Sequence, residues 1–166
     1  MRLSNLNSTE LKLAQLISAF EISVEQTVLA ALLDESQDVL KSVLSELEKK
    51  NIIDSLNLSN APRINSFNFK KYIYSTISNR IKFHVVLANS VKKLFPDFNT
   101  LELSRQYELA GEYVKTVETL RKEIERTEEI SAFAYKRSLL EKMLRFNIPE
   151  KLLNDLLSGK IDAAWI

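Results

Sequence analysis

Residues 67–94 read FNFKKYIYSTISNRIKFHVVLANSVKKL, and the fold turns on how that stretch is parsed. Phe67-Asn-Phe69, with Asn65 before it, alternates polar and apolar as a half-buried strand does. From Lys70 the period lengthens. Ile73, Ile77, Ile81, Val85 (or His84) and Ala88 recur every three or four residues, which predicts one long helix to Leu94, stopped at Pro96. Tyr72, Tyr74, Phe83, Val86, Leu87 and Val91 widen its apolar surface past a single stripe, as in a helix gripped from two sides. Upstream of it the sequence predicts a small compact domain, and downstream helical hairpins.

Working back toward the N-terminus, Asn7-Ser-Thr-Glu10 has the form of a capping box, followed by Leu11, Leu13, Ala14, Leu16 and Ile17 on one helical face. Ser23-Val-Glu-Gln26 predicts a second helix start, with Val24, Val28, Leu29 and Leu32 inward. Asp34-Glu-Ser-Gln37 predicts a third, with Val39, Leu40, Val43, Leu44 and Leu47 as its buried stripe. Ile52 to Leu58 and Ile64 to Phe69 then read as two strands around an Asn57–Pro62 loop. Three short helices followed by a β-ribbon make a winged helix.

Composition narrows the class. The chain has 166 residues, enough for one domain or two small ones. Only two glycines and three prolines are present, which leaves little room for tight hairpins and favours a mostly α protein. The absence of cysteine excludes disulfides and thiolate metal sites. No apolar run reaches the roughly 18 residues of a membrane span, and the N-terminus turns polar too soon for a signal peptide, so the expected location is cytoplasmic with no membrane partner.

The net charge of +1 is unevenly spread: −4 over residues 1–54, +7 over 55–96 and −2 over 97–166. The central block has no acid at all. Its cations include Arg63, Lys70, Lys71, Arg80 and Lys82, which form either a nucleic-acid surface or a belt docked on acidic neighbours of the same chain. The third helix is a poor DNA reader, because Asp38, Glu46 and Glu48 balance Lys41, Lys49 and Lys50 and no arginine is available for guanine. His84 stands alone, without a second histidine or a cysteine, and reads as a packing residue with one hydrogen bond. No catalytic residue, cofactor-binding motif or metal-ligand set is found. The two glycines, 48 positions apart, cannot build a phosphate loop.

From Asp97 the pattern is one of paired helices. Leu101, Leu103, Tyr107 and Leu109 mark the first, and Gly111 in Gly111-Glu-Tyr113 can take the left-handed conformation that stops it. Tyr113, Val117, Leu120 and Ile124 mark a second helix, from Glu112 to about Thr127. Ile130, Phe133, Ala134, Leu139, Leu140, Met143 and Leu144 mark a third, from Glu129 to Phe146. A last helix is expected over Pro149 to Leu157, and Trp165 reads as a residue waiting for a partner to cover it. The Gly-Glu-Tyr turn between helices of about 15 residues resembles a tetratricopeptide (TPR) repeat, with Thr116 where the repeat usually has alanine. Barely two such repeats fit, so the array is expected to be cut short.

Assembled, the expected fold is mostly α: a winged-helix domain over 1–70, a connector helix over 71–96 and TPR-like antiparallel hairpins over 97–166. The succession of Leu44 to Ile53, Phe67-Asn-Phe69, Arg80, His84 and Ala88, and the Gly-Glu-Tyr hairpin resembles the middle of STAND-type signalling NTPases. These include the maltose-activator-like transcriptional regulators and related multidomain bacterial kinases and cyclases. The resemblance spans roughly residues 6–145 and departs at Lys70-Lys71, where the family commonly carries a histidine. It implies a regulatory, protein-interacting winged helix without the NTPase domain. Partners expected on this basis are a protein or the remaining domains of a larger chain, with a small-molecule inducer on the repeats. The alternative is a nucleic-acid-binding regulator using the basic belt.

Overall fold

The computed structural model describes residues 3–54, 61–128, 133–146 and Asn154. Those residues are mostly helical, and they divide into two units, 1–96 and 97–166.

The first unit holds α1 (Ser8–Ala19), α2 (Gln26–Leu33), α3 (Gln37–Lys49), α4 (Phe67–Ser75) and α5 (Arg80–Leu94). The capping box at α1 forms as expected: Asn7 Oδ1 accepts from the Glu10 amide at 2.9 Å, and Glu10 Oε2 accepts from the Asn7 amide at 2.8 Å. The next two starts differ from expectation. Ser23 does not cap α2, whose N-cap is Glu25 with no side-chain bond, because the Ser23 hydroxyl accepts from Arg63 Nε instead. Ser36, rather than Asp34, caps α3. Asp34 sits in the left-handed region at φ 58° and closes α2.

Leu13, Leu16, Phe20, Leu29, Leu40 and Leu44 form the heart of this unit, joined by Ile52, Ile53 and Ile73. α1 packs on α2, α3 and α4, and α2 packs on α3 and α5. Val39, expected in the stripe of α3, is 42% exposed, one position round the helix from buried Leu40.

After α3 the chain reverses through Asn51 at φ 52°, where the Ile52 amide donates back to the Leu47 carbonyl. Among the described residues the two expected strands meet in one antiparallel bridge, between Ile53 and Ile64, while 55–60, which hold the rest of the first strand and most of the loop, lie outside them. Asp54 N donates to Arg63 O at 2.9 Å and Asn65 N to Ile52 O at 3.2 Å. The expected strand ending at Phe69 is overturned, for Phe67 already opens α4, with Ser66 Oγ accepting from the Phe69 amide. The two-residue alternation lasts only through Phe67-Asn-Phe69. Against it stand a good cap and the four-residue spacing of Phe69, Ile73 and Ile77, which buries the last two.

The expected single helix from Lys70 to Leu94 is likewise two helices. Thr76 ends α4, its hydroxyl turned back onto the Ile73 carbonyl at 2.6 Å, and Asn79 caps α5 by accepting from the Lys82 amide. Thr76, Ser78 and Asn79 are side chains that compete for backbone groups, and three of them within four positions defeat the continuous ladder.

The second unit holds α6 (Thr100–Leu109), α7 (Tyr113–Glu128) and α8 (Phe133–Leu144). Gly111 at φ 72° joins the first two: its amide donates to Glu108 O and the Glu112 amide to Tyr107 O, the paired bonds of a Schellman turn. Val117, Leu120, Ile124, Leu139 and Met143 form the α7–α8 core. The expected third helix from Glu129 begins, among the described residues, at Phe133; the expected last helix falls outside them, apart from helical Asn154. Among the described residues, no helix is long and apolar enough to cross a membrane.

Candidate interaction surfaces

The break between α4 and α5 decides the surroundings of His84. It folds α5 back so that the His84 ring, fully buried, meets the Tyr74 hydroxyl at Nε2, 2.7 Å away. Phe83 packs edge-on against the same imidazole, 5.5 Å between centroids. His84 rather than Val85 therefore takes the core position of the helix. Among the described residues no group of three metal-ligating side chains gathers around it or elsewhere. This geometry is that of a packed, hydrogen-bonded ring.

The five cations of the belt do not act alike. Lys70 reaches across to α1: its ammonium donates to the Phe20 carbonyl at 2.6 Å and lies 3.7 Å from Glu21. It thus satisfies an orphan carbonyl at the end of α1, inside its own unit. Arg63 is anchored through Ser23 at 2.7 Å. Lys71, Arg80 and Lys82 are exposed, and among the described residues none of them is ion-paired. Lys71 lies 4.3 Å over the Phe67 ring, and Arg80 lies 5.6 Å from the Tyr74 ring centre. Lys70 is thus tied into its unit and Arg63 is bonded to Ser23 while staying exposed, whereas Lys71, Arg80 and Lys82 face outward.

Two of the three lysines of α3 and its C-cap are drawn into ion pairs. Lys49 pairs with Glu46 at 2.7 Å, and Lys50 is drawn onto Glu10, 2.7 Å from both carboxylate oxygens. Glu10 is 2% exposed, and burial pushes its carboxyl up. The hydrogen bond from Lys50, that from the Asn7 amide and the Lys50 charge outweigh burial and hold it below the usual value of 4.5. This pair ties the start of α1 to the end of α3. Glu10 was legible as a cap, but its ion pair with a residue 40 positions away was not.

A groove of about 400 Å³ lies between α1, the end of α2, the Thr76–Asn79 turn and α5. Leu16, Leu32 and Phe83 contribute apolar lining, and Lys82 and Asn79 polar lining. Gln15 donates to the Thr76 hydroxyl at 2.9 Å within it. Nothing in the periodicity announced this groove, because it exists only where the chain breaks between α4 and α5.

In the second unit Tyr107 is buried beneath the Gly111 turn, with Lys115 5.6 Å from its ring centre. Burial raises its phenol above the ordinary value of 10.0, and the charges of Glu112 and Glu118 add to this. Tyr113 is 46% exposed and stacks on Phe146 at 5.4 Å, so the residue expected in the core forms a rim. Glu108 of α6 pairs with Lys142 of α8 at 3.0 Å. Glu123 accepts from the Tyr135 hydroxyl, and burial, that carboxylate's charge and the bond itself raise the Tyr135 phenol against the opposing pull of Arg126. Trp165 lies outside the described residues.

Comparison with known proteins finds no matching family model, no matching curated relative and no matching solved structure.

Proposed function

We propose that this chain is a non-catalytic regulatory and interaction module of a signal-transduction or transcription-regulatory protein. Its first unit is read as a winged-helix variant and its second as a short TPR-like array. The bridge between Ile53 and Ile64, soon after α3, supports the first reading, since a wing placed after three helices would be rooted in such a pairing. The Gly111 turn and the consecutive packing of α6 on α7 and α7 on α8 support the second. The observation that carries the proposal is this consecutive hairpin, which leaves Tyr113, Val114 and Leu144 exposed on folded helices. Helical arrays present such residues to protein partners or to a small-molecule inducer.

The test is retention of a partner by the chain immobilised in a lysate of its source. A protein held by the natural chain and lost on Tyr113→Asp or Leu144→Asp, with the helical circular dichroism unchanged, supports the reading. Equal retention by natural and substituted chains refutes it.

A further inference from the structure

The outward face of α4 has a composition that the interaction reading leaves unexplained. While Ile73 is buried, Phe67, Asn68, Lys71, Tyr72 and Ser75 are all exposed, with Arg80 following at the start of α5. Phe67 is 67% exposed and Tyr72 54%, so two large rings are held in water on a short helix. Lys71 lies over the Phe67 ring, Arg80 beside the Tyr74 ring, and Tyr72 stacks on Phe69 at 6.3 Å. Residues 55–96 contain no acid to oppose these cations.

We infer that this face of α4 binds single-stranded nucleic acid, with Phe67 and Tyr72 stacking on bases and Lys71 and Arg80 neutralising phosphates. Rings more than half exposed and interleaved with cations match a strand that presents a π face and a negative charge at each step. Duplex hides its base faces, and an acidic peptide supplies charge without them. From Phe67 to Tyr74 the helix rises roughly 10 Å, so the face accommodates only a few nucleotides. Sequence preference is not expected, because every base offers a ring to stack on. The inference is independent of the hairpin surface, and its test reads a different unit.

Fluorescence anisotropy of labelled dT12, U12 and a 12-base-pair duplex, titrated with the full chain at low salt, decides it. The single strands are expected to bind saturably and more tightly than the duplex. Phe67→Ala and Tyr72→Ala should each weaken that binding at least about fivefold with little change in salt dependence. Lys71→Gln should lower the slope of log affinity against log salt by about 0.7. Lys41→Gln, on α3, should change nothing. Phe67 and Tyr72 are exposed, so unchanged circular dichroism and unfolding temperature are expected of their variants. The inference is overturned by absent binding, by equal or tighter binding of duplex, or by unaltered affinity in both ring variants. Tighter association with phosphatidylserine vesicles than with dT12 would also overturn it, since the face would then be a membrane-surface helix.

Discussion

At the scale of single residues, Glu10 does most with least. One carboxylate closes the α1 capping box and receives Lys50 from the end of α3, while 2% exposed. Glu10→Ala should therefore cost about 3 kcal/mol, the lower end of the range for a broken buried pair, since Lys50 keeps a third of its side chain in water. The urea midpoint of the natural and substituted chains measures this. Because the folded carboxyl titrates below its ordinary value, its contribution is complete above pH 4.5 and is lost as pH falls through the lower folded value. Glu10→Gln should flatten that acid limb of the stability profile. Tyr107 makes the opposite case. Its hydroxyl is buried with no hydrogen-bond partner among the described residues. Removing it in Tyr107→Phe should be neutral or stabilise by up to about 1 kcal/mol. A raised folded phenol contributes stability below pH 10 that is lost as pH rises through the folded value, so the same variant should resist alkali better.

At the scale of elements, the caps and stops account for the arrangement of helices. Ser36→Ala removes the bond to the Val39 amide and should cost about 1 kcal/mol, read from thermal unfolding. Gly111→Ala should cost about 1–2 kcal/mol for a different reason. A Cβ there meets nothing within 4 Å, so the whole penalty is the left-handed backbone at φ 72°. Calorimetry of the two variants should place their losses in different units. The α4–α5 break was present in the letters Thr76, Ser78 and Asn79, yet the apolar spacing from Ile73 to Ala88 runs across it without interruption. Periodicity reports which residues share a direction over one or two turns, not whether the ladder between them continues. The Phe67-Asn-Phe69 alternation misled in the same way, since three residues fit either period and the cap at Ser66 decided for the helix.

At the scale of the whole molecule, each unit carries its own core: Leu13, Leu29, Leu44 and Ile73 in one, Val117, Leu120, Leu139 and Met143 in the other. A fragment of residues 1–96 should therefore unfold cooperatively by itself, with Glu10→Ala lowering its midpoint as it does in the full chain. A non-cooperative melt of that fragment would show that the first core is insufficient alone. The charge asymmetry also resolves at this scale. Lys70 binds inside the first unit, against the Phe20 carbonyl and Glu21, so the +7 of residues 55–96 is partly structural, and its outward remainder lies at exposed Arg63 and on α4 and α5.

What the sequence by itself determined is local. It set the helical class, the α1 box and the turn at Gly111, because caps and left-handed glycine act over a few positions. What only the tertiary structure decided depends on residues far apart in the chain. Lys50 on Glu10, Lys70 on Phe20 and the groove beside the α4–α5 turn arise once helices meet. The same holds for which cations are spent and which face water. A side chain's charge is written in its letter; whether it is neutralised depends on what folding places beside it.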